Sequence, residues 1–306
     1  MKAARIRSFG GSEKIHLEEV ATPKAKKNEA LILVHAAAVN PADWMIREKL
    51  YNPEGANHVP MTLGQDFSGV IEKIGKGSRT DFKEGDAVFG EVWGSYAQQI
   101  VCPLKDLVKK PDSIDFEVAA SIPMPGLTAW QMVTEKAKAV RGMKLLIHGA
   151  SGGVGSFAAQ FAKWKGCTVI ATASPPSFDW LRQIGVDEII DYRKERFEEK
   201  VRDVDVVIDP LGGELQDRSW QTLKKRGLLI NLVGEIDHAA AKKYQVRGLE
   251  FGMRYDTGDL EQITRLIAKG IVKPHISKVL PLDQARKAMD LNQHGESHGK
   301  IILKVA

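Results

Sequence analysis

The stretch HGASGGVGSFAAQFAKWKG, residues 148–166, constrains the fold of this chain more than any other. Four glycines fall within residues 149–155. Glycine loses more backbone entropy on folding than any other residue, so a close backbone approach should require it there. The run Lys144–Ile147 before the loop is short and apolar, as a buried strand is. Residues 153–165 after it carry apolar side chains at helical spacing. Strand, glycine loop and helix in that order predict a parallel βαβ unit. The order Ala150-x-Gly152-x-x-Gly155 suits a dinucleotide's phosphates. Missing side chains let the backbone approach a pyrophosphate, and the first amides of the helix face the anion. The cradle consists of Gly149, Ala150, Ser151, Gly152, Gly153, Val154 and Gly155.

The alternation continues downstream. CTVIATAS, DEIIDY, VDVVID, GLLINLVG and LEFGMRY read as strands. Helices are expected at 126–140, 177–184, 214–225 and 259–268. Continuous apolar strands alternating with amphipathic helices predict a doubly wound parallel sheet over residues 121–270. Residues 1–120 differ. MKAARI, EALILVHAAAV, GVIEKIG, DAVFGEV and SYAQQIVC are short runs bounded by glycine and proline turns. They predict a mostly β domain. A helix over 283–292 and a strand over 300–305 follow. That lone strand needs a sheet, and either domain could supply it.

Composition narrows the function. The net charge of +5 is dispersed, with no basic stripe interleaved with aromatics, so no nucleic-acid partner is expected. A mild positive excess suits an anionic ligand. Cys102 and Cys167 lie far apart and in no metal-type spacing, which fits a reduced, cytoplasmic protein. No apolar run is long enough for a transmembrane helix, and the N-terminal stretch lacks the apolar centre of a secretory signal.

An NAD site usually has Asp or Glu at the end of the second strand, for the adenine ribose hydroxyls. Here that strand ends Ala173-Ser174-Pro175-Pro176, with no carboxylate before Asp179. The missing acid removes repulsion against a 2′-phosphate. Ser174 can donate to one, and Tyr192, Arg182, Arg193 and Lys194 are candidate partners, so NADPH is the expected cofactor. Leu211 and Gly212 end the fourth strand and Val233 and Gly234 the fifth, where strand carboxyl ends meet a nucleotide.

Several further segments carry a resemblance. Ala38-Val39-Asn40-Pro41-Ala42-Asp43-Trp44, Leu63-Gly64-Gln65-Asp66-Phe67-Ser68-Gly69-Val70, Gly85-Asp86-Ala87-Val88, Gly126-Leu127-Thr128-Ala129-Trp130, the glycine loop, Ile189-Ile190-Asp191-Tyr192 and Gly299-Lys300-Ile301 occur in family order. Together they resemble the zinc-independent, quinone-oxidoreductase-like branch of the medium-chain dehydrogenases/reductases. The resemblance implies an α/β protein with two parts. One is a GroES-like catalytic domain, residues 1–120 completed by 271–306. The other is a Rossmann domain, residues 121–270. It further implies bound NADPH, a homodimer, and cofactor contacts from Thr128, Phe251 and Lys300. Asn40, Asp43 and Tyr51 are implied to face the nicotinamide.

The zinc-dependent members carry Cys where this chain has Asn40 and His where it has Gln65. Amides are poor zinc ligands, and His35, His58, Asp66 and His148 show no ligand spacing, so no metal is expected. Without a Lewis acid the chemistry must need little beyond a positioned hydride. A quinone or an α,β-unsaturated carbonyl is such an acceptor, because it spreads incoming charge onto oxygen. Asn40, Gln65 and Tyr51 are the candidate donors to that oxygen. Asp43, if ionised, can only accept, so it is expected to orient a neighbour. The segment Arg47–Met61, with its polar tip Asn52–Asn57, is expected to set substrate choice. The alternative reading is an NADPH-binding sensor or RNA-binding protein of the same fold with little turnover.

Overall fold

The computed structural model describes residues 1–53, 58–295 and 297–306. Residues 54–57, in the tip expected to set substrate choice, lie outside the described residues. The chain forms two compact units. One comprises residues 1–124, 255–268 and 274–306, the other residues 125–254 and 269–273. Among the described residues the first unit holds β1 (Lys2–Ile6), β2 (His16–Glu19), β3 (Glu29–Val39), β4 (Met61–Thr62), β5 (Asp66–Ile74), β6 (Ala87–Glu91), β7 (Gln99–Pro103) and β8 (Leu107–Lys109). The second holds β9 (Lys144–Ile147), β10 (Thr168–Ala173), β11 (Glu188–Asp191), β12 (Val204–Asp209), β13 (Leu223–Asn231) and β14 (Arg247–Glu250). The first unit closes with β15 (Ile276–Pro281) and β16 (Lys300–Lys304).

In the first unit the main sheet runs β15-β16-β3-β5-β6-β8, with β7 also paired to β3. A second sheet runs β2-β1-β4. The sequence EALILVHAAAV of β3 explains its central place. Ala30, Ile32 and Val34 pack with Phe67, Ile71, Val88 and Ile100. Ala37 and Val39, on the opposite face, pack with Ile6, Leu63, Tyr96, Ile301 and Leu303. Three successive alanines, 36 to 38, are fully buried, and their small side chains let neighbours approach from both faces. The terminal strand β16 settles what the sequence left open. It pairs antiparallel with β3, Ile301 opposite Val39 and Leu303 opposite Ala37. Ile301, Ile302 and Leu303 have no exposure, and each contributes about 1.5–3 kcal/mol of burial.

The second unit is an all-parallel sheet in the order β11-β10-β9-β12-β13-β14. This is the 3-2-1-4-5-6 order of a dinucleotide-binding sheet. Leu145, Leu146, Ile147, Val207 and Ile208 have no exposure, as strands covered on both faces require. The helix Gly153–Trp164 buries Phe157, Ala158, Ala159, Phe161 and Ala162.

Four expectations need correction. The helix Thr257–Ala268 belongs to the first unit, not to the parallel-sheet domain. It packs against β8, and the adjoining Tyr255 hydroxyl donates to the Asp106 carbonyl at 2.6 Å. Alternation identifies a helix but not the sheet it covers. The helix expected over 214–225 ends at Ser219, and a short turn leads to β13 at Leu223. Lys224, Lys225 and Arg226 lie exposed on that strand. The helix expected over 126–140 runs Pro123–Trp130 and continues as a wide π turn to Lys136. The strand LEFGMRY stops at Glu250, so Phe251 lies just past it, its amide donating to the Asn231 carbonyl at 2.8 Å.

His148 follows β9 and is fully buried. Its Nδ1 meets the Thr172 hydroxyl at 3.0 Å and its Nε2 the Ser219 hydroxyl at 2.9 Å. Phe197 packs edge-on, ring centres 4.6 Å apart. Burial pushes the imidazole down to about 4, because no solvent stabilises its cation. The folded pKa lies below the unfolded one. Between those values the unfolded chain binds the extra proton, so this contribution is full above about pH 6.5 and is lost as pH falls toward 4. The loss approaches about 3 kcal/mol. Denaturant unfolding of wild type and His148→Gln should show a wild-type advantage that shrinks across that window. An advantage independent of pH would contradict a neutral buried His148.

Candidate functional site

In the second unit the glycine loop is built by backbone alone. Gly149 adopts φ +56°, a left-handed conformation that favours glycine. The Gly152 amide donates to the Gly149 carbonyl at 2.9 Å and the Ala150 amide to the Thr172 carbonyl at 3.3 Å. A Cβ on Gly155 would sit 2.4 Å from the Gly149 oxygen and 2.7 Å from the Ala150 Cα. Glycine is therefore required for the helix to pack onto the loop. A Cβ on Gly152 would meet only the Gly149 oxygen, at 3.3 Å. Gly152 caps the helix Gly153–Trp164 without a side-chain hydrogen bond to its first turn. The first amides of a helix lack intrahelical acceptors, so this end suits a phosphate. The cradle fits a dinucleotide, with Ser151, Gly153 and Val154 on the same turn.

The neighbouring strand ends complete the rim. Ala173 is paired in register with Asp191, which sets Ser174 beside Tyr192. The Tyr192 amide donates to the Ala173 carbonyl at 3.4 Å. Ser174 is buried and Tyr192 exposed. The Arg193 guanidinium lies 5.9 Å from the Tyr192 ring centre. Tyr192, Arg193, Lys194, Arg196 and Arg218 line a hollow of about 410 Å³ together with Glu195. Arg182 instead pairs with Asp179 at 2.8 Å. Buried Asp209 receives the Leu211 and Gly212 amides at 3.0 and 2.9 Å. Buried Asn231 donates to the Val233 and Gly234 carbonyls at 2.7 and 3.0 Å. Leu211 and Val233 stay exposed, while Thr128 and Phe251 are buried.

In the first unit a buried polar cluster surrounds Asn40, which precedes the helix Pro41–Arg47. The Asn40 amide nitrogen of the backbone donates to Asp43 Oδ2 at 2.8 Å. Asn40 Nδ2 donates to Asp66 Oδ2 at 2.9 Å. Lys300 Nζ donates to Asn40 Oδ1 at 2.6 Å and to the Val39 carbonyl at 2.8 Å. The Tyr96 hydroxyl donates to Asp43 Oδ2 at 2.7 Å, and Gln65 Nε2 to Asp43 Oδ1 at 3.4 Å. Asn40, Asp43, Gln65, Asp66, Tyr96 and Lys300 are all buried. Glu91 lies opposite Asp66 in the β5–β6 register. Burial raises the Asp43 carboxyl, pushes Asp66 up to about 7 and Glu91 up to about 8, and lowers the Lys300 ammonium. Tyr51 stands apart, half-exposed beyond the helix.

The structure thus joins Asn40, Asp43, Gln65 and Lys300 in one cluster. Lys300, expected from the resemblance to contact the cofactor, sits in this cluster on Asn40 and the Val39 carbonyl. Asp66, Tyr96 and Glu91 were not expected as members. A carboxylate opening the apolar strand DFSGV was the one available signal for Asp66. Among the described residues no group of three or more His, Cys, Asp and Glu side chains is disposed to hold a metal ion.

Residues 26–112 match the alcohol dehydrogenase GroES-like domain, and residues 184–303 match a domain described as zinc-binding dehydrogenase. A quinone oxidoreductase of Pongo abelii is 31% identical, covering 99% of this chain and 97% of its own. The chain belongs to the quinone oxidoreductase family. The structure of the Coxiella burnetii quinone oxidoreductase superposes with a TM-score of 0.94 at 31% identity, covering 100% of this chain and 99% of that one. An Escherichia coli quinone oxidoreductase, solved with NADPH, shares the fold at a TM-score of 0.92 and 24% identity over 99% and 100% of the two chains. The fold is thus a GroES-like unit with a Rossmann parallel-sheet unit, as in other members of the quinone oxidoreductase family.

The glycines separate folding from binding. Gly155→Ala forces backbone against backbone and should cost about 1–3 kcal/mol. Gly152→Ala keeps an allowed conformation, φ −75° and ψ 175°, and should melt near the wild-type temperature. Its dinucleotide affinity should nevertheless fall at least about tenfold, close to 1.4 kcal/mol. Fluorescence titration checks this, and wild-type affinity in Gly152→Ala would remove the cradle as the phosphate site.

Proposed function

We propose that this chain is an NADPH-dependent reductase of quinones and α,β-unsaturated carbonyls that works without zinc. One observation carries the reading: the Lys300 ammonium lies 2.6 Å from Asn40 Oδ1. A metal ligand must offer a lone pair to the cation. The lone-pair atom of Asn40 is already engaged by a positive charge, and that charge would repel a divalent ion. What Asn40 can still offer is its second Nδ2–H, a donor suited to an anion. Gln65, held to Asp43 through its own Nε2, has a second N–H of the same kind.

When bound, NADPH supplies a hydride to the acceptor. The chain's task is to receive the charge that then develops on the acceptor's oxygen. A fixed donor in a site shielded from water does this without reorganising at the moment of reaction. Asp43, with three donors aimed at it, holds Gln65 and Tyr96 and contributes no proton. Water can protonate the resulting enolate or hydroquinone anion. No residue of the cluster is disposed to activate an alcohol, which favours acceptors that are already electron-poor.

The preference for NADPH is supported by the second strand end. Ser174 stands there in place of an acid, beside Tyr192 and Arg193. A homodimer, supported by the resemblance alone, and a cytoplasmic location, supported by the two unpaired cysteines, belong to the same reading. No helix among the described residues is long and apolar enough to cross a membrane.

The test is direct. Purified protein should consume NADPH, and NADH several-fold less efficiently, on addition of a naphthoquinone or an enone. Dialysis against a strong zinc chelator should leave the rate unchanged. No oxidation with either acceptor class would end the enzyme reading. Activity lost to the chelator and restored by zinc would end the metal-free one. Tight NADPH binding without turnover would point to a binding protein instead.

A further inference from the structure

We propose that Lys300 and Asp66 are positioning residues: they grip the Asn40 side-chain amide from its two ends and fix the direction of its one uncommitted N–H. The inference rests on the reading of Asn40 as donor to the acceptor's oxygen. A side-chain amide has two nearly isosteric ends, and a half-turn exchanges a donor for an acceptor. An ammonium has only hydrogens to give, so Lys300 requires Oδ1 to face it. An ionised carboxylate only accepts, so Asp66 requires Nδ2. Contacts of 2.6 and 2.9 Å on opposite ends leave one orientation.

The two gripping groups are themselves anchored to backbone. Lys300 donates a second bond to the Val39 carbonyl at 2.8 Å. Asp66 Oδ1 accepts from the Met124 amide at 3.1 Å. Their places are set by register: Ile301 opposite Val39 brings Lys300 to Asn40, and Asp66 opens the strand paired to the other edge of β3. Burying an ammonium and a carboxylate costs several kcal/mol each, and an apolar pair would often be no less stable. Specifying one orientation of Asn40 gives this buried pair a role that an apolar pair could not fill.

The test is a double-mutant cycle in the full-length protein, read as kcat with NADPH and a naphthoquinone. Asn40→Ala should lower kcat by about 10²-fold, the usual effect of losing one oxyanion donor. Lys300→Met should lower it at least about tenfold, with the nucleotide KM changed less than about twofold, since orientation acts on the transition state. The double variant should be no slower than Asn40→Ala alone, because a residue acting through Asn40 has nothing left to position. Multiplicative losses would overturn the proposal, as would an unchanged kcat in Lys300→Met. Should that variant fail to fold, Asp66→Asn replaces it in the same cycle with the same expectation. A readout independent of turnover is the Nδ2H₂ pair of Asn40 in ¹⁵N-asparagine-labelled protein, assigned by its loss in Asn40→Ala. Wild type should show one shifted, slowly exchanging pair that reverts to free-amide behaviour in Lys300→Met or Asp66→Asn. An unchanged pair in both variants would overturn the grip even if wild type reduced no quinone, an outcome that would by itself defeat only the proposed function.

Discussion

An ammonium buried from water is stable only where carboxylates and carbonyls replace its hydration. Lys300 is held on those terms by Asn40 and the Val39 carbonyl, in the field of Asp66 and Asp43. The first unit is arranged so that this can happen. Strand β3 carries alanines where it must accept neighbours on both faces. Strand β16 lies against it with Ile301, Ile302 and Leu303 buried. The same register that buries those three side chains delivers the lysine. Packing and polar chemistry are therefore not separate achievements of this sheet. Shifting β16 by one residue would turn Ile301 and Leu303 to the wrong face and withdraw Lys300 together.

The second unit solves its problem differently. Its cradle has no side chain to aim, so backbone geometry carries the specificity. Gly155 is set by the close approach of the Gly149 carbonyl, and Gly149 by its left-handed turn. Around them, two buried polar side chains hold the loops at the strand ends. Asp209 fixes the turn at Leu211 and Gly212, and Asn231 the turn at Val233 and Gly234. A Cβ on Gly212 would strike the Val233 oxygen at 2.2 Å, so the two loops press on each other. Leu211 and Val233 remain exposed because their backbones, not their side chains, are what is tied down.

Much of this was legible in the chain. The glycine loop announced its strand and helix because each part depends on local spacing. The β-rich first domain was readable from short runs and turn residues. Local spacing fails where the answer depends on distant partners. The helix at Thr257–Ala268 is amphipathic wherever it lies, and nothing in its own residues names β8 as its neighbour. The helix expected over 214–225 ran into a strand, because the exposed face at Lys224, Lys225 and Arg226 takes charges as well as a helix does. In the polar cluster Asn40 and Asp43 were visible through the resemblance carried by the segment Ala38–Trp44. Tyr96 and Glu91 were not, since only the pairing of β5 with β6 and the folding back of the segment after β6 bring them in. Lys300 was visible by position and misleading by type, because a lysine on a terminal strand usually faces solvent.

The contrast between an amide and a metal ligand goes further than affinity. A site that holds zinc gathers lone pairs, so its potential is negative until the ion arrives. In this cluster the corresponding side chain offers its oxygen to an ammonium and a hydrogen to Asp66. On the reading proposed above, one residue type at position 40, with a lysine 260 positions away in sequence, puts a hydrogen-bond donor where a cation ligand would stand. Asp43 and Asp66 stand close by, but their oxygens already accept from Asn40, Tyr96, Gln65 and the Met124 amide, so their lone pairs are engaged inside the cluster. The carboxylates and the buried lysine are thus two sides of one balance. Between them they hold the Asn40 side-chain amide from both ends.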